Sequence, residues 1–214
     1  MIVTIDGPAG AGKSTVARAL AKKLGFQFLD TGATYRAVAL AALRRNLPWD
    51  EPERLVQLAG RLRIELAGDR VFLEGEDVTD EIRRSAVTEA IHYGADNPGV
   101  REHMVRLQRE LAAGRDVVTE GRDQGTVVFP DAQYKIFLTA SPRERARRRM
   151  IELEERGEGV SLDEVLASIE QRDHRDSSRD VGPLKPADDA IEVITDGMTV
   201  AQVVDRLEEI VRSS

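Results

Sequence analysis

One octapeptide constrains this chain more than any other feature. Gly7-Pro8-Ala9-Gly10-Ala11-Gly12-Lys13-Ser14 fits Gly-x-x-x-x-Gly-Lys-Ser/Thr without deviation. Its glycines let backbone N–H groups curl inward around phosphate oxygens. Lys13 can reach the β and γ phosphates of a nucleotide, and the Ser14 hydroxyl can ligate Mg²⁺. The octapeptide alone could be a chance Gly-rich turn, so its flanks decide. An apolar run, Ile2–Ile5, leads into it. A helical pattern, Lys13–Leu24 with Val16, Leu20 and Leu24 at fourfold spacing, leads out and turns its positive end toward the anion.

The rest of the chain continues that strand–helix alternation, which predicts an α/β fold: a five-stranded parallel sheet of P-loop type, flanked by helices. The expected core strands are Ile2–Ile5, Phe26–Leu29, Asp116–Thr119, Tyr134–Leu138 and Ala190–Ile194. Ser141-Pro142-Arg143-Glu144 opens one helix with an N-cap, a first-turn Pro and a capping-box Glu. Ser161-Leu162-Asp163-Glu164 repeats the signature, and Thr199 caps a last helix reaching Ser214. Between the second and third strands lie about 85 residues, against the ten to twelve of a minimal crossover. This insertion reads as helices Gly32–Arg45 and Glu51–Arg61, a hairpin of Arg63–Ala67 and Arg70–Glu74 around Gly68-Asp69, then helices near Asp80–Ala95 and Pro98–Ala113. It is expected as an elaboration of one domain.

Composition sharpens the chemistry. The net charge of −7 argues against nucleic-acid binding by bulk attraction. With no Cys, disulfide scaffolds, Cys-based zinc sites and thiol nucleophiles are excluded. Yet 26 of the 31 basic residues are Arg, the side chain whose planar donor fork matches phosphate. The longest apolar stretch, Ala37–Leu43, is far short of the roughly 18–20 residues of a membrane span. Met1 leads into a strand with no basic and apolar leader pattern, so a cytoplasmic protein is expected.

Position separates the arginines. On the helix from Ser161, Leu162, Val165, Leu166 and Ile169 form the buried stripe. Continued at roughly 100° per residue, that helix places Arg172, Asp176 and Arg179 on one edge of the stripe, and Arg175 further round. Inward charges need partners or a cleft; a plain Arg172–Asp176 pair at i+4 is the structural alternative. Arg143, Arg145, Arg147, Arg148, Arg149 and Arg156 crowd the preceding helix, and Arg145 and Arg149 repel at i, i+4 unless an anion intervenes. With Gly157-Glu158-Gly159 as a turn, this reads as a mobile basic lid over ATP, with Arg148 and Arg149 as ATP contacts. Asp30-Thr31-Gly32, with Tyr35 and Arg36 one turn on, follows the second strand, and Glu120-Gly121-Arg122-Asp123 follows the third. In open parallel sheets ligands gather at these carboxyl ends. Asp30 and Glu120 could equally cap or pair there.

Taken together, Ile5-Asp6-Gly7-Pro8 with the loop, Asp30 to Arg36, Glu120 to Asp131 and Gln171-Arg172-Asp173-His174-Arg175-Asp176 resemble the bacterial cytidylate kinases nearly end to end, including the inserted Leu73 to Val78. The resemblance implies transfer of the γ-phosphoryl of ATP to CMP or dCMP with Mg²⁺. It implies a core (1–31, 114–146 and 160–214), a nucleoside-monophosphate-binding part (about 32–113) and a lid (about 147–159). By motif matching, Gly7 to Ser14 and Thr15 would bind ATP. Arg36 and Arg122 would hold the acceptor phosphate, Asp123 and Arg101 would face cytosine, and Asp176 and Arg172 the sugar or phosphate. Thr31 and Tyr35 would line the acceptor, and Lys13, Arg172 and Arg179 would serve the transferred phosphoryl. One departure stands out: the position where many members carry a cytosine-contacting Ser holds His92.

Two other readings remain open. One is a different small-molecule P-loop kinase of UMP, AMP or shikimate type. The other is a nucleotide switch without turnover. The absence of Asn-Lys-x-Asp argues against a GTPase. No long apolar stripe is left over, so a monomer is expected, with no nucleic-acid or membrane partner.

Overall fold

The computed structural model describes residues 1–155 and 157–213; Arg156, counted above among the basic helix residues, and Ser214 fall outside them. The chain divides into two compact units, Met1–Phe28 with Asp116–Ser214, and Leu29–Arg115.

The first unit is built on a sheet with strand order β2-β6-β1-β7-β8, where β1 is Ile2–Asp6, β2 Gln27–Asp30, β6 Val117–Gly121, β7 Tyr134–Thr139 and β8 Ile191–Ile194. The β1–β6, β1–β7 and β7–β8 pairs are parallel. Central β1 has Val3, Thr4 and Ile5 fully buried, as a parallel strand covered on both faces requires. Helix α1 (Lys13–Leu24) lays Val16 and Leu20, and helix α8 (Val200–Arg212) lays Val203, Leu207 and Val211, into one core with Val118, Ile136 and Leu138. Removing a buried side chain such as Leu20 or Leu207 down to Ala costs about 2–5 kcal/mol. Two of the three expected caps form in full. Ser141 accepts from Glu144 N at the start of helix α6 (Pro142–Glu154), but the expected capping box does not close there, because Ser141 N donates to Asp196 Oδ2 and the Glu144 carboxylate holds Arg147 and Arg148. Ser161 and Glu164 make a reciprocal capping box on helix α7 (Leu162–Ser177), as Thr199 and Gln202 do on α8. Each N-cap contributes about 0.5–2 kcal/mol.

The second unit holds helices α2 (Thr31–Arg44), α3 (Pro52–Ala59), α4 (Ser85–Ala95) and α5 (Pro98–Ala112) with strands β3 (Ile64–Ala67), β4 (Arg70–Leu73) and β5 (Glu76–Asp77). Its core gathers Ala37, Val38, Leu40, Leu73, Ile82 and Met104.

The expected hairpin forms, β3 against β4 around Gly68-Asp69, and gains a third strand because Glu74 and Gly75 both take positive φ and turn the chain back into β5. Two further expectations are corrected. The stretch Asp80–Ala95 is not one helix: a 3-10 turn, Glu81–Arg83, is anchored by buried Ile82, and extended Arg84 separates it from α4. Helix α7 stops at Ser177, so Arg179 lies beyond the helix rather than on its stripe. The remaining boundaries shift by one or two residues. Among the described residues, no helix is long and apolar enough to cross a membrane.

Candidate functional site

In the first unit the site starts where β1 ends. Gly7 takes φ +151°, and a Cβ there would come within 2.0 Å of the Leu138 carbonyl oxygen, so only glycine lets the loop leave the sheet this way. The Lys13 side chain runs back under the loop, and Nζ donates to the Pro8 carbonyl at 2.7 Å. Burial, then the neighbouring Arg122 and Arg172 cations, push the ammonium down to about 7, against the pull of Glu120 and Asp6. Such a cation gains most from an arriving anion, which relieves both its desolvation and its repulsion.

Register places the partners of the loop. Ile5 stands opposite Glu120 and Asp6 opposite Gly121, so the acidic end of β6 lies level with the loop's entry. Ser14 Oγ donates to Glu120 Oε1 at 2.8 Å. These two hard oxygen donors could share a Mg²⁺ that keeps waters and takes its other ligands from phosphate oxygens. Among the described residues, no three acidic or histidine side chains cluster to cage a metal on their own.

Beyond β6 the chain enters a single π-helical turn, Gln124–Val128, which no local sequence pattern announces. Asp6 pins its start, accepting from Gln124 N at 2.9 Å and Gly125 N at 2.7 Å. Burial raises the Asp6 carboxyl to about 7 although both N–H groups favour its charged form. Thr119 Oγ1 donates to Gln124 Oε1 at 2.9 Å and braces the same turn. Arg122 and the 5% exposed Asp123 are thereby held between a strand end and a pinned turn.

The Arg122 side chain crosses to α7. Its Nε donates to Asp176 Oδ2 at 2.7 Å, and Arg179 Nη2 donates to the other oxygen at 2.6 Å. Burial alone would raise the Asp176 carboxyl, but Arg122 and Arg179 outweigh it and hold the group ionised below its ordinary range. Asp176 thus holds Arg122 and Arg179 directly, beside the Arg172 considered with it from the sequence. Arg172 is exposed, and its charge acts on both Lys13 and Asp176. Two aligned, always-charged guanidiniums beside a phosphate loop can spread the charge of a transferring phosphoryl.

Among the crowded arginines of α6, Arg145, Arg147, Arg148 and Arg149 each meet a carboxylate of the protein. Arg145 finds its anion within the protein: it is buried against the Asp173 carboxylate and the Ala9 and Ala140 carbonyls. Arg148 donates to Glu144 Oε1, Thr195 Oγ1 and the Thr195 carbonyl, one bond from each of its three nitrogens. Arg147 pairs with Glu144 and Arg149 with Glu152. Together Arg147 and Arg148 draw the Glu144 carboxyl down to about 2.

In the second unit, Asp30 caps α2 by accepting from Ala33 N at 2.9 Å, with Thr31 buried behind it. Gln108 on α5, fully buried, donates to Thr34 Oγ1 at 3.2 Å, and Thr34 donates to the Thr31 carbonyl at 2.7 Å. This chain of bonds fixes the first turn of α2 and with it Tyr35 and Arg36. The Arg36 guanidinium folds over Gly32. Arg101, 3% exposed, donates to the Ala95 carbonyl at 3.0 Å and lies 5.8 Å over the Tyr35 ring. So Thr31, Tyr35, Arg36 and Arg101 form one group. On α4, His92 Nδ1 lies 2.7 Å from the Glu89 carbonyl, and its ring leans on Tyr93, itself stacked on Trp49.

Asp6, Gln108, Arg145 and Asp173 were not singled out as site residues from the sequence. For Asp173 a signal existed, since it stands four residues after Ile169 on the buried stripe. For the others the partners come from distant segments.

A family model described as cytidylate kinase matches residues 3–213. A cytidylate kinase of Rhodopirellula baltica is 53% identical over 212 residues, covering 99% of this chain and 93% of that protein. One of Caldanaerobacter subterraneus is 50% identical over 212 residues, covering 99% and 95%. Among solved structures, a shikimate kinase from Bacteroides thetaiotaomicron superposes with a TM-score of 0.50 at 18% identity, covering 99% of this chain and 98% of that one, which speaks to the fold alone.

Proposed function

The chain belongs to the cytidylate kinase family, and on that premise we propose that it transfers the γ-phosphoryl group of ATP to CMP or dCMP, giving ADP and CDP or dCDP. The observation that carries this reading is the buried Lys13 under its phosphate loop, on the same unit as the Arg122–Asp176–Arg179 cluster.

An oxygen of the acceptor monophosphate attacks the γ phosphorus, and the bond to the β,γ-bridging oxygen breaks as ADP leaves. The acceptor is already an oxyanion, so no strong base is required. The difficulty is to bring two anions into line and spread the charge. We assign Gly7, Pro8, Ala9, Gly10, Ala11, Gly12, Lys13, Ser14 and Thr15 to the ATP phosphates, with Arg149 and Arg148 as further ATP contacts. For Arg148, ATP would have to compete with Thr195. Mg²⁺ bound at Ser14, beside Glu120, would neutralise phosphate charge. Arg36 and Arg122 take the acceptor phosphate; Thr31, Tyr35, Arg101 and Asp123 the nucleoside; Arg172 and Asp176 its sugar or phosphate. Lys13, Arg172 and Arg179 serve the transferred group. His92 would reach a base only by leaving the Glu89 carbonyl. We divide the chain into a core (1–31, 114–146, 160–214), a monophosphate-binding part (32–113) and a lid (147–159), acting as a cytoplasmic monomer.

A coupled ADP assay across CMP, dCMP, UMP, AMP and shikimate tests the reading. CMP and dCMP should give the highest kcat/KM. A higher value with AMP or shikimate, or no ADP with any acceptor, would overturn it.

A further inference from the structure

The phosphate loop is not held by its own residues alone. Ala9 N donates to Asp173 Oδ1 at 2.9 Å, and the Ala9 carbonyl accepts from Arg145 Nη1 at 2.8 Å. Arg145 Nη1 also reaches Asp173 Oδ2 at 2.5 Å, and Arg145 Nε donates to the Ala140 carbonyl at 3.0 Å. The result is a closed ring: Ala9 N–H, Asp173, Arg145, Ala9 C=O. One ion pair satisfies both main-chain polar groups of one loop residue. The pair is well buried, with side-chain exposures of 6% for Arg145 and 18% for Asp173. The next residue closes against the same helices, since a Cβ on Gly10 would meet the Arg145 carbonyl oxygen at 3.1 Å and Ile169 Cδ1 at 3.2 Å. Arg145 stands on α6 and Asp173 on α7, and these helices share the apolar cluster of Ala146, Val165 and Ile169.

We propose that Asp173, gripped by Arg145, is a positioning residue that sets the phosphate loop for its triphosphate and ties the loop to the α6–α7 hairpin. The proposal rests on the reading of Gly7–Ser14 as the ATP phosphate site. Neither side chain needs to touch ATP. Their work is to fix the Ala9 main chain, so that the N–H groups that follow stay aimed at the anion. Misplacing such a group by about 1 Å costs on the order of 10²-fold in rate. Taking away one partner would leave the other as an uncompensated buried charge, so the two should act as a unit.

The test is ATP affinity by calorimetry, together with the KM for each substrate, for Asp173→Ala, Asp173→Asn, Arg145→Ala and the double Ala variant. Asp173→Ala should weaken ATP about tenfold or more while the KM for CMP stays within about twofold, the size expected of a positioning loss confined to the loop. Asp173→Asn keeps an oxygen for Ala9 N–H and should recover part of that loss. The double Ala variant should be no worse for ATP than Asp173→Ala, as expected of residues that act together. Unchanged ATP affinity in a folded Asp173→Ala protein overturns the proposal, as does a parallel rise in the KM for CMP. If Asp173→Ala does not fold, the near-isosteric Asp173→Asn decides alone: ATP affinity equal to wild type overturns the proposal, and a loss confined to ATP supports it. Calorimetry with ATP does not depend on the acceptor, so failure of wild type to phosphorylate CMP would count against the proposed function without touching this measurement.

Discussion

Arg122 Nε donates to Asp176 Oδ2 at 2.7 Å, joining the end of β6 to the last turn of α7. Asp176 holds Arg179 with its second oxygen, so a single carboxylate aims two guanidiniums. Asp176→Asn keeps the shape but loses the charge. It should lower kcat by about 10²–10³-fold, the scale of losing a preorganised group at a charged transition state. Steady-state kinetics with CMP would check it, and a kcat within threefold of wild type would show that the arginines hold their aim without help.

Arg179 reaches Asp176 from beyond the helix end, a placement suited to a group acting on the transferred phosphoryl. Arg179→Ala should reduce kcat by roughly 10²–10³-fold while CMP affinity by calorimetry stays near wild type. Lost CMP affinity at unchanged kcat would sink that role.

Lys13 is a buried cation pressed by other cations. Lys13→Met should abolish most activity and, in the ligand-free protein, raise Tm, because the cost of desolvating the ammonium disappears. Thermal unfolding without nucleotide measures this directly. A fall in Tm would mean that the Pro8 bond outweighs the burial cost.

Asp6, raised to about 7 by burial, couples folding to pH. Between about pH 4 and 7 the native protein retains a proton that the unfolded chain has released. This group's contribution to stability is therefore greatest below about pH 4 and falls as pH rises toward 7, at up to about 1.4 kcal/mol per pH unit. Asp6→Asn removes the dependence, so the variant should gain on wild type from pH 5 to pH 8 in denaturant unfolding. A constant difference across that range would contradict the burial argument.

The parts legible in the sequence were those whose cause is local. Val16 and Leu20 at helical spacing, the Ser161–Glu164 capping box and the apolar run of β1 all announce their structure within a few residues. What was lost depends on partners far along the chain. β5 is two exposed acidic residues with no apolar signal, and it exists because Glu74 and Gly75 turn. Periodicity carried α7 through Arg179 because spacing cannot see where a helix is capped. Arg145 looked like a cation in want of an anion because its neighbours on α6 are cations. Its partner Asp173 stands on another helix. Arg122 is marked as a candidate by a topological rule about strand ends, which needs no knowledge of contacts.

The strand order also fixes a timetable. Ile2 pairs with Val117 and Val3 with Tyr134, so the central strand has no neighbour until most of the polypeptide exists. Residues 29–115, by contrast, form one compact unit that is contiguous in the chain. On a ribosome emitting chain from the N-terminus, that segment can collapse while β1 waits unpaired, and the phosphate loop that follows β1 is shaped only after β7 and α7 arrive. Nucleotide-binding competence should thus be among the last properties the nascent chain acquires.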